Sequence, residues 1–319
     1  LALLLPLFCL FHLYVGQIPI SFSDYWSSFS NFDATSSNHI IAREIRIPRL
    51  FMALIAGAGL SIVGLLMQTL FNNPLAGPYV LGINSGSSLF VALSIMTGIP
   101  FFASELGLIT NALLGAFLFG LLILFFSRLV KTQISLLLIG LMLGSFISAF
   151  VAFLQSASNA QELKVFTLWA LGSLQKVEFS QLPIIIGITI VGILGAFLLV
   201  KPLNALVLGE NESKLLGVNI KTTRLWIIVI TAILTGLVTA FCGPIAFVGL
   251  AVPNLVRILF RTQQHFILIS ASALLGAIFI LLCDVIIQLT EPFFMLPINV
   301  LTSIIGAPMV IFFILNRLR

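Results

Sequence analysis

Residues 47–70 read I-P-R-L-F-M-A-L-I-A-G-A-G-L-S-I-V-G-L-L-M-Q-T-L, and this stretch decides the fold class of the chain. It is apolar along nearly its whole length, and a helix needs about 20 apolar residues to cross a bilayer. Similar runs recur throughout the 319 residues, of which 60% are hydrophobic and 8% charged. The sequence therefore predicts an all-α, polytopic membrane protein in which residues 1–319 form a single transmembrane domain.

Apolar runs of helical length occur at ten places, so we predict about ten transmembrane helices. Near 243–253, Gly243 and Pro253 are compatible with one broken helix or with two separate ones. The first run is short, and we expect that further residues precede Leu1 and that this helix is retained rather than cleaved as a signal peptide. The ten runs are residues 1–16, 47–70, 79–98, 107–127, 134–156, 183–200, 225–242, 244–260, 266–287 and 297–315.

The Lys and Arg residues of the loops predict the direction of the chain. With the N-terminus in the cytoplasm, ten of the fifteen cations lie on the cytoplasmic side, as the positive-inside rule requires, and both termini are then cytoplasmic. The net charge of +5 is thus an effect of topology, and no nucleic-acid partner is expected. The five cations left outside are Arg43, Arg46, Arg49, Lys164 and Lys176.

Three of these outer cations form an external basic segment, residues 43–49, just ahead of the second predicted helix. Arg43, Arg46 and Arg49 either snorkel at the mouth of that helix, or they form a platform on which an acidic soluble partner docks from outside. The sequence leaves both alternatives open.

The polar segment 203–224, L-N-A-L-V-L-G-E-N-E-S-K-L-L-G-V-N-I-K-T-T-R, is a candidate cytoplasmic coupling segment. We predict a helix of about two turns from Glu210 to Leu216 within it. Gly217 would end this helix in the left-handed conformation that glycine adopts readily. A helix so short is not stable alone, so neighbouring helices or a soluble partner must hold it. The candidate coupling residues are Leu208, Gly209, Glu210, Leu215, Leu216 and Gly217.

Small residues recur at every fourth position of the fifth run. In lipid this spacing favours close helix packing, but a narrow face of this kind also suits the wall of a translocation path for a bulky solute. The candidate path residues are Gly140, Gly144, Ser148 and Ala152. A shorter stripe in the second run is expected to serve packing, and it consists of Ala53, Gly57 and Ser61.

Two Gly-Pro breaks open similar segments, at 77–82 and 243–249. The first precedes a helix that runs outward and the second precedes one that runs inward. That pattern is expected of an inverted repeat in which helices 2–5 match helices 7–10.

Asp284 is the single acidic residue inside a predicted span, so it must face protein or water. We favour a structural hydrogen-bonding role. The alternative is a proton-coupled secondary transporter in which Asp284 carries the proton.

Several kinds of chemistry are not expected. The sequence has no G-x-x-x-x-G-K-[ST], so ATP is not bound by a P-loop of this chain. His12, His39 and His265 form no metal-ligand pair, and we place none of them where it could activate a serine within the membrane. No metal site, catalytic residue or enzymatic activity is therefore predicted. Cys9, Cys242 and Cys283 are expected to be buried hydrophobic residues.

The sequence resembles the permease subunits of ABC importers for iron-siderophores, haem and vitamin B12. The resemblance covers nearly the whole chain. It rests on R-I-P-R-L at 46–50, G-A-G-L-S-I-V-G-L-L-M-Q-T-L-F-N-N-P-L-A-G-P at 57–78, L-G-I-N-S-G at 81–86, the L-G-E to L-L-G-V segment of 208–218, G-P-I-A-F-V-G-L-A-V-P-N-L-V-R at 243–257 and L-P-I-N-V-L-T-S-I-I-G-A-P at 296–308.

The resemblance implies a bacterial inner-membrane complex of two permease subunits, two cytoplasmic ATPases that bind the ATP, and an external substrate-binding protein. It implies a path along the subunit interface, gated near the fifth helix. Arg46 and Arg49 would meet acidic residues of the binding protein, and 208–217 would contact the ATPase. A further basic docking residue of some members is here Gln288. The sequence does not separate siderophore, haem and vitamin B12 as substrates, or homodimer from heterodimer.

Overall fold

A computed structural model of the chain describes residues 1–78, 82–97, 105–130 and 132–317. Within these ranges the fold is all-helical, as predicted. The α-helices are α1 Leu4–Tyr14, α2 Phe22–Ser30, α3 Ser37–Ile40, α4 Ile47–Leu70, α5 Ile83–Met96, α6 Glu105–Leu129, α7 Gln133–Ala157, α8 Ala160–Ala170, α9 Leu182–Leu198, α10 Val200–Leu206, α11 Glu210–Leu215, α12 Ile220–Cys242, α13 Val248–Phe260, α14 His265–Thr290 and α15 Ile298–Arg317.

Within the described residues, six helical segments are long and apolar enough to cross a membrane. They are Ser37–Leu70, Gly107–Leu129, Gln133–Ala157, Phe179–Leu198, Ile220–Cys242 and His265–Thr290. Four shorter apolar helices coincide with the remaining predicted runs, and they are Leu4–Tyr14, Ile83–Met96, Val248–Phe260 and Ile298–Phe313. The prediction of an all-α, multi-pass membrane protein is thereby confirmed. Residues 79–81 and 98 of the third predicted run lie outside the described residues.

Helix α4 lies at the centre of the domain, and nearly all of its side chains are buried. It packs against α14, α12, α13 and α9. Glycines allow two close crossings: Gly57 faces the backbone of Gly276 in α14, and Gly64 faces that of Gly249 in α13. A Cβ atom at either position would overlap the neighbouring carbonyl group. The prediction that the stripe through Ala53, Gly57 and Ser61 serves packing is confirmed, because all three residues are buried.

The chain near 243–253 belongs to two separate helices: α12 ends at Cys242, residues 243–247 are non-helical, and α13 begins at Val248. Gly243 has φ of +73°, which glycine adopts without the penalty that a Cβ atom brings. Neighbouring segments satisfy the backbone here, since Ser173 N donates to the Cys242 carbonyl at 2.8 Å and Ala246 N donates to Asn299 Oδ1 at 3.0 Å. Pro253 lies inside α13 rather than at the break.

The basic segment is helical. Residues Ile41–Arg46 form a π-helical segment that continues directly into α4, whereas the sequence predicted a helix only from residue 47. A π-helix is short and rare, and it rotates the side chains that follow it relative to a regular helix. The three arginines therefore lie at the N-terminal end of the central helix.

Candidate docking, coupling and translocation sites

Asp284 is the centre of a buried polar cluster that joins three helices. Arg49 donates to both of its carboxylate oxygens, from Nε to Oδ2 at 2.7 Å and from Nη2 to Oδ1 at 3.0 Å. His12 Nε2 lies 2.6 Å from Oδ2, and Gln288 Nε2 donates to the same atom at 3.1 Å. We call His12, Arg49, Asp284 and Gln288, with Glu291, the Asp284 cluster. It ties α1 and α4 to α14.

The cluster supplies the groups that a buried carboxylate requires. Asp284 is 1% exposed, and a buried charge is tolerated when it is paired and fully hydrogen-bonded. Arg49 has a second carboxylate partner, because its Nη1 donates to Glu291 Oε1 at 2.9 Å. This is the geometry expected of a structural hydrogen-bonding residue.

Two histidines occupy positions that the sequence reasoning did not assign to them. His12 is 1% exposed in α1, and His265 is fully buried at the start of α14. The sequence did not predict that these two side chains are buried. Their hydrogen-bond partners in the described part of the chain include no serine: His12 contacts Asp284 and Gln288, and His265 contacts Thr69 and Asn204.

The three arginines of the basic segment all make contacts within the chain. Arg46 is buried and donates from Nη1 to the Leu13 carbonyl at 2.7 Å and to the Tyr25 hydroxyl at 3.1 Å; its Nη2 donates to the Ile18 carbonyl. Burial raises the pKa of Tyr25, and the hydrogen bond and charge of Arg46 partly offset this. Arg46 therefore fixes the segment between α1 and α2 against α4.

Arg43 is the most accessible of the three. Its side chain is 30% exposed, and its guanidinium lies between two aromatic rings, 4.5 Å from the centroid of Phe32 and 4.7 Å from that of Phe179. Such cation–π contacts hold an arginine in place and leave its edge free to donate hydrogen bonds. Arg49, in contrast, is 6% exposed within the Asp284 cluster.

The short helix of the coupling segment is confirmed. Helix α11 begins at Glu210 after Gly209, which has φ of +112°, and ends one residue earlier than predicted, at Leu215. Gly217 has φ of +79°, and its N–H donates to the Lys214 carbonyl at 3.0 Å. The bond from Val218 N to the Ser213 carbonyl, also 3.0 Å, completes the C-terminal cap.

Apolar side chains of this segment face outward. Leu215 is 89% exposed, Leu216 63% and Leu208 61%. A cavity of about 660 Å³ lies beside them, with Leu208, Leu216 and Trp226 in its lining. Exposed leucines at the tip of a polar loop form a surface on which a partner protein could pack.

Glu210 connects α11 to two longer helices. Gln133 Nε2, at the first residue of α7, donates to Glu210 Oε1 at 2.8 Å. Arg224 Nη2, in α12, donates to the same oxygen at 3.3 Å. The sequence reasoning missed Gln133, because a glutamine at the start of an apolar run carries no signal for its partner.

The predicted path stripe divides into two parts. Gly140 is buried and Gly144 is half-buried, and both lie next to the start of α5, near Gly82 and Ser85. Ser148 and Ala152 are exposed. One half of the stripe therefore packs against α5, and the other half is an open face of α7.

Comparisons with known proteins cover this chain from end to end. The model of the FecCD transport family matches residues 3–316. The hemin transport system permease protein HmuU of Yersinia pestis is 34% identical, over 99% of this chain and 94% of that protein. The Fe(3+) dicitrate transport system permease protein FecD of Escherichia coli is 32% identical, over 97% and 95% respectively. The vitamin B12 import system permease protein BtuC of Vibrio cholerae is 32% identical, over 97% and 90%.

A solved structure described as an inward-facing conformation of a metal-chelate type ABC transporter has the same fold. Its TM-score is 0.86 at 30% identity, and the match covers 99% of this chain and 97% of the other. These relatives are transport permeases rather than enzymes, and none of them favours the proton-coupled alternative. Family match, relatives and fold agree: the chain belongs to the FecCD transport family and is a multi-pass membrane permease of the ABC importer type.

Proposed function

We propose that this chain is the membrane subunit of a bacterial ABC importer. The importer takes up either an iron chelate (a siderophore or haem) or vitamin B12. ATP is hydrolysed on a separate cytoplasmic subunit, and an external binding protein delivers the substrate. The observation that carries the proposal is α11, a helix with accessible leucines that is bonded through Glu210 to α7 and α12. An ATPase that grips these leucines can move both longer helices.

In this proposal the chain crosses the bacterial inner membrane ten times, with both termini in the cytoplasm. The four shorter apolar helices support the count, because each lies in a predicted run. The excess of Lys and Arg on the α11 side supports the direction. An inverted repeat is consistent with the two Gly-Pro breaks, and Pro78 of the first break lies against Gly249 of the second.

We propose that two permease subunits, identical or different, enclose the path. The exposed face of α7 supports this arrangement, because Ser148 and Ala152 lie on the helix of which the least is buried among the six candidate spans. A path wall is expected to carry small, weakly polar side chains, which a bulky chelate can pass without binding tightly.

Docking of the binding protein is proposed at the external basic segment. Arg43 can meet a partner carboxylate with little rearrangement, since its guanidinium contacts aromatic rings and an exposed Glu44. Docking through Arg46 or Arg49 requires that each exchange a bond inside the chain for one to the partner. The segment as a whole supplies the positive potential that steers an acidic partner.

Uptake by a reconstituted complex tests the proposal. The permease, its ATPase and its binding protein are placed in vesicles, and uptake of hemin, ferric dicitrate and cyanocobalamin is measured with ATP, with a non-hydrolysable analogue, and with a proton gradient alone. We expect at least one of the three to accumulate only with hydrolysable ATP. Uptake driven by the proton gradient in the absence of the ATPase would overturn the proposed function.

A further inference from the structure

The contacts of Glu210 form a three-helix joint that hydropathy and exposure alone do not show. Glu210 is the first residue of α11 and Gln133 is the first residue of α7, so the hydrogen bond of 2.8 Å joins the ends of two helices. Arg224 approaches the same carboxylate oxygen from α12. We call Gln133, Glu210 and Arg224 the coupling joint.

Arg224 is the buried, charged member of the joint. It is 6% exposed, and its Nη1 also reaches the Ser127 carbonyl near the end of α6, at 3.4 Å. Its Nε is buried with no hydrogen-bond partner among the described residues. A buried guanidinium with an unsatisfied donor depends strongly on its carboxylate partner. Arg224 therefore orients the Glu210 carboxylate.

Gln133 is the member that can move. Few residues of α7 are buried, and its buried residues are Leu136, Gly140, Ile147 and Val151. Ile134, beside Gln133, is 71% exposed. In the first turn of α7 only Leu136 is fully buried, so the hydrogen bond from Gln133 to Glu210 adds to its packing and joins that turn directly to α11.

The chemistry of Gln133 suits a contact that must change. A neutral amide that donates to a carboxylate makes a directional bond, but it lacks the full charge of a Lys or Arg in its place. Such a bond can change its length and direction during a transport cycle without leaving a buried charge unpaired. Arg224, which is buried and charged, stays with Glu210.

We propose that Gln133 and Arg224 are positioning residues that pass the displacement of α11 to α7. Arg224 orients the Glu210 carboxylate, and Gln133 carries its movement to the first turn of the helix that bears Ser148 and Ala152. This inference rests on the proposed function, because α11 moves only if an ATPase engages it. The inference adds to the proposed function the residues through which movement at the ATPase contact reaches the exposed face of α7.

A reciprocal exchange of amide and carboxylate tests the joint. Gln133→Glu places two carboxylates together, and like charges repel. The double variant Gln133→Glu with Glu210→Gln restores one amide and one carboxylate with their positions reversed. Gln161→Glu, at an exposed position on α8, is the matched control for the added charge.

Two readouts are taken on the complete complex with its ATPase and binding protein. The first is hemin, ferric dicitrate or cyanocobalamin taken up per ATP hydrolysed, whichever the unsubstituted complex transports. The second is the rate at which a water-soluble maleimide labels Ser148→Cys, with and without ATP and vanadate, in a chain whose Cys9, Cys242 and Cys283 are replaced by Ser. A purely structural defect would lower the amount of complex. It would leave uptake per ATP and the ATP-dependent change in labelling rate unchanged.

We expect Gln133→Glu to lower uptake per ATP by about two-fold or more, the low end of the coupling between contacting residues. The ATP-dependent change in labelling should shrink with it, and the double variant should restore both. Wild-type values in Gln133→Glu would overturn the joint while the proposed function stands. No ATP-dependent uptake in the unsubstituted complex would overturn the proposed function and the joint together.

Discussion

Arg49 of α4 and Asp284 of α14 are 235 residues apart in the chain and meet in a two-pronged ion pair, with bonds of 2.7 and 3.0 Å. Both side chains are more than nine-tenths buried. The pair lies at the end of α4 that carries the basic segment, so a residue proposed for docking is also part of the core. Stability and docking are therefore linked at Arg49.

Replacement of Asp284 should destabilise the protein. Asp284→Leu leaves Arg49 buried without its main partner, and the loss of one member of a buried pair costs roughly 3–5 kcal/mol. Asp284→Asn should cost less, because the amide oxygen still accepts from Arg49. The measurement is unfolding of the purified complex in detergent, followed by circular dichroism.

Glu291→Gln provides the comparison for this pair. Glu291 is 26% exposed and binds the other side of Arg49, so water compensates for part of its loss. We expect a smaller effect than that of Asp284→Asn. Equal effects of the two amide substitutions would contradict a special structural role for Asp284.

The contrast between predicted and unpredicted features has a physical cause. Hydropathy located the membrane helices because each is an apolar run bounded by polar or Gly-Pro segments, and glycine conformation located α11 because Gly209 and Gly217 flank it. The partners of Asp284 could not be predicted in this way. The identity of the helices that pack together depends on three-dimensional contacts, and neither His12 nor Arg49 carries a local signal for a residue more than 200 positions away.

Charge reversal at Arg43 should weaken docking and spare the fold. Arg43→Glu replaces attraction to an acidic partner by repulsion, while the contacts of Arg43 are with partly exposed rings. We expect stimulation of the ATPase by the loaded binding protein to fall about ten-fold at low salt, and less at high salt, where charges are screened. The assay is ATP hydrolysis as a function of binding-protein concentration.

Two further variants serve as comparisons for Arg43→Glu. Lys164→Glu reverses an exposed charge of α8, on the side of the chain proposed to be external, and should have a smaller effect. Arg46→Glu with Arg49→Glu should abolish stimulation and also lower stability, because both arginines are buried. Normal stimulation in both Arg43→Glu and the Arg46→Glu, Arg49→Glu double variant would exclude the basic segment as a docking site.

Close helix packing at α4 gives a prediction with a matched control. A Cβ atom at Gly57 would overlap the Gly276 carbonyl, whereas one at Gly59 would meet Val238 and Leu234 only at ordinary contact distance. Gly57→Ala should therefore destabilise the protein by about 1–3 kcal/mol, the usual effect of overpacking a core. Gly59→Ala should be neutral or stabilising because it adds helix propensity. Similar unfolding curves for the two variants would contradict the crossing of α4 and α14 at Gly57.

Substitutions at the C-terminal cap of α11 test the backbone conformation of the coupling segment without replacing its exposed leucines. Gly217 has φ of +79° and nothing within 4 Å of its Cβ position, so strain rather than crowding limits substitution there. Gly217→Val should cost about 1–2 kcal/mol of local stability, whereas Gly217→Asn, which tolerates this conformation, should cost less. Because a distorted cap misdirects Leu215 and Leu216, we expect uptake per ATP to fall in Gly217→Val and to be largely retained in Gly217→Asn. The measurement is substrate uptake and phosphate release in the same vesicles. Equal coupling in both variants would show that the left-handed cap does not shape the contact with the ATPase.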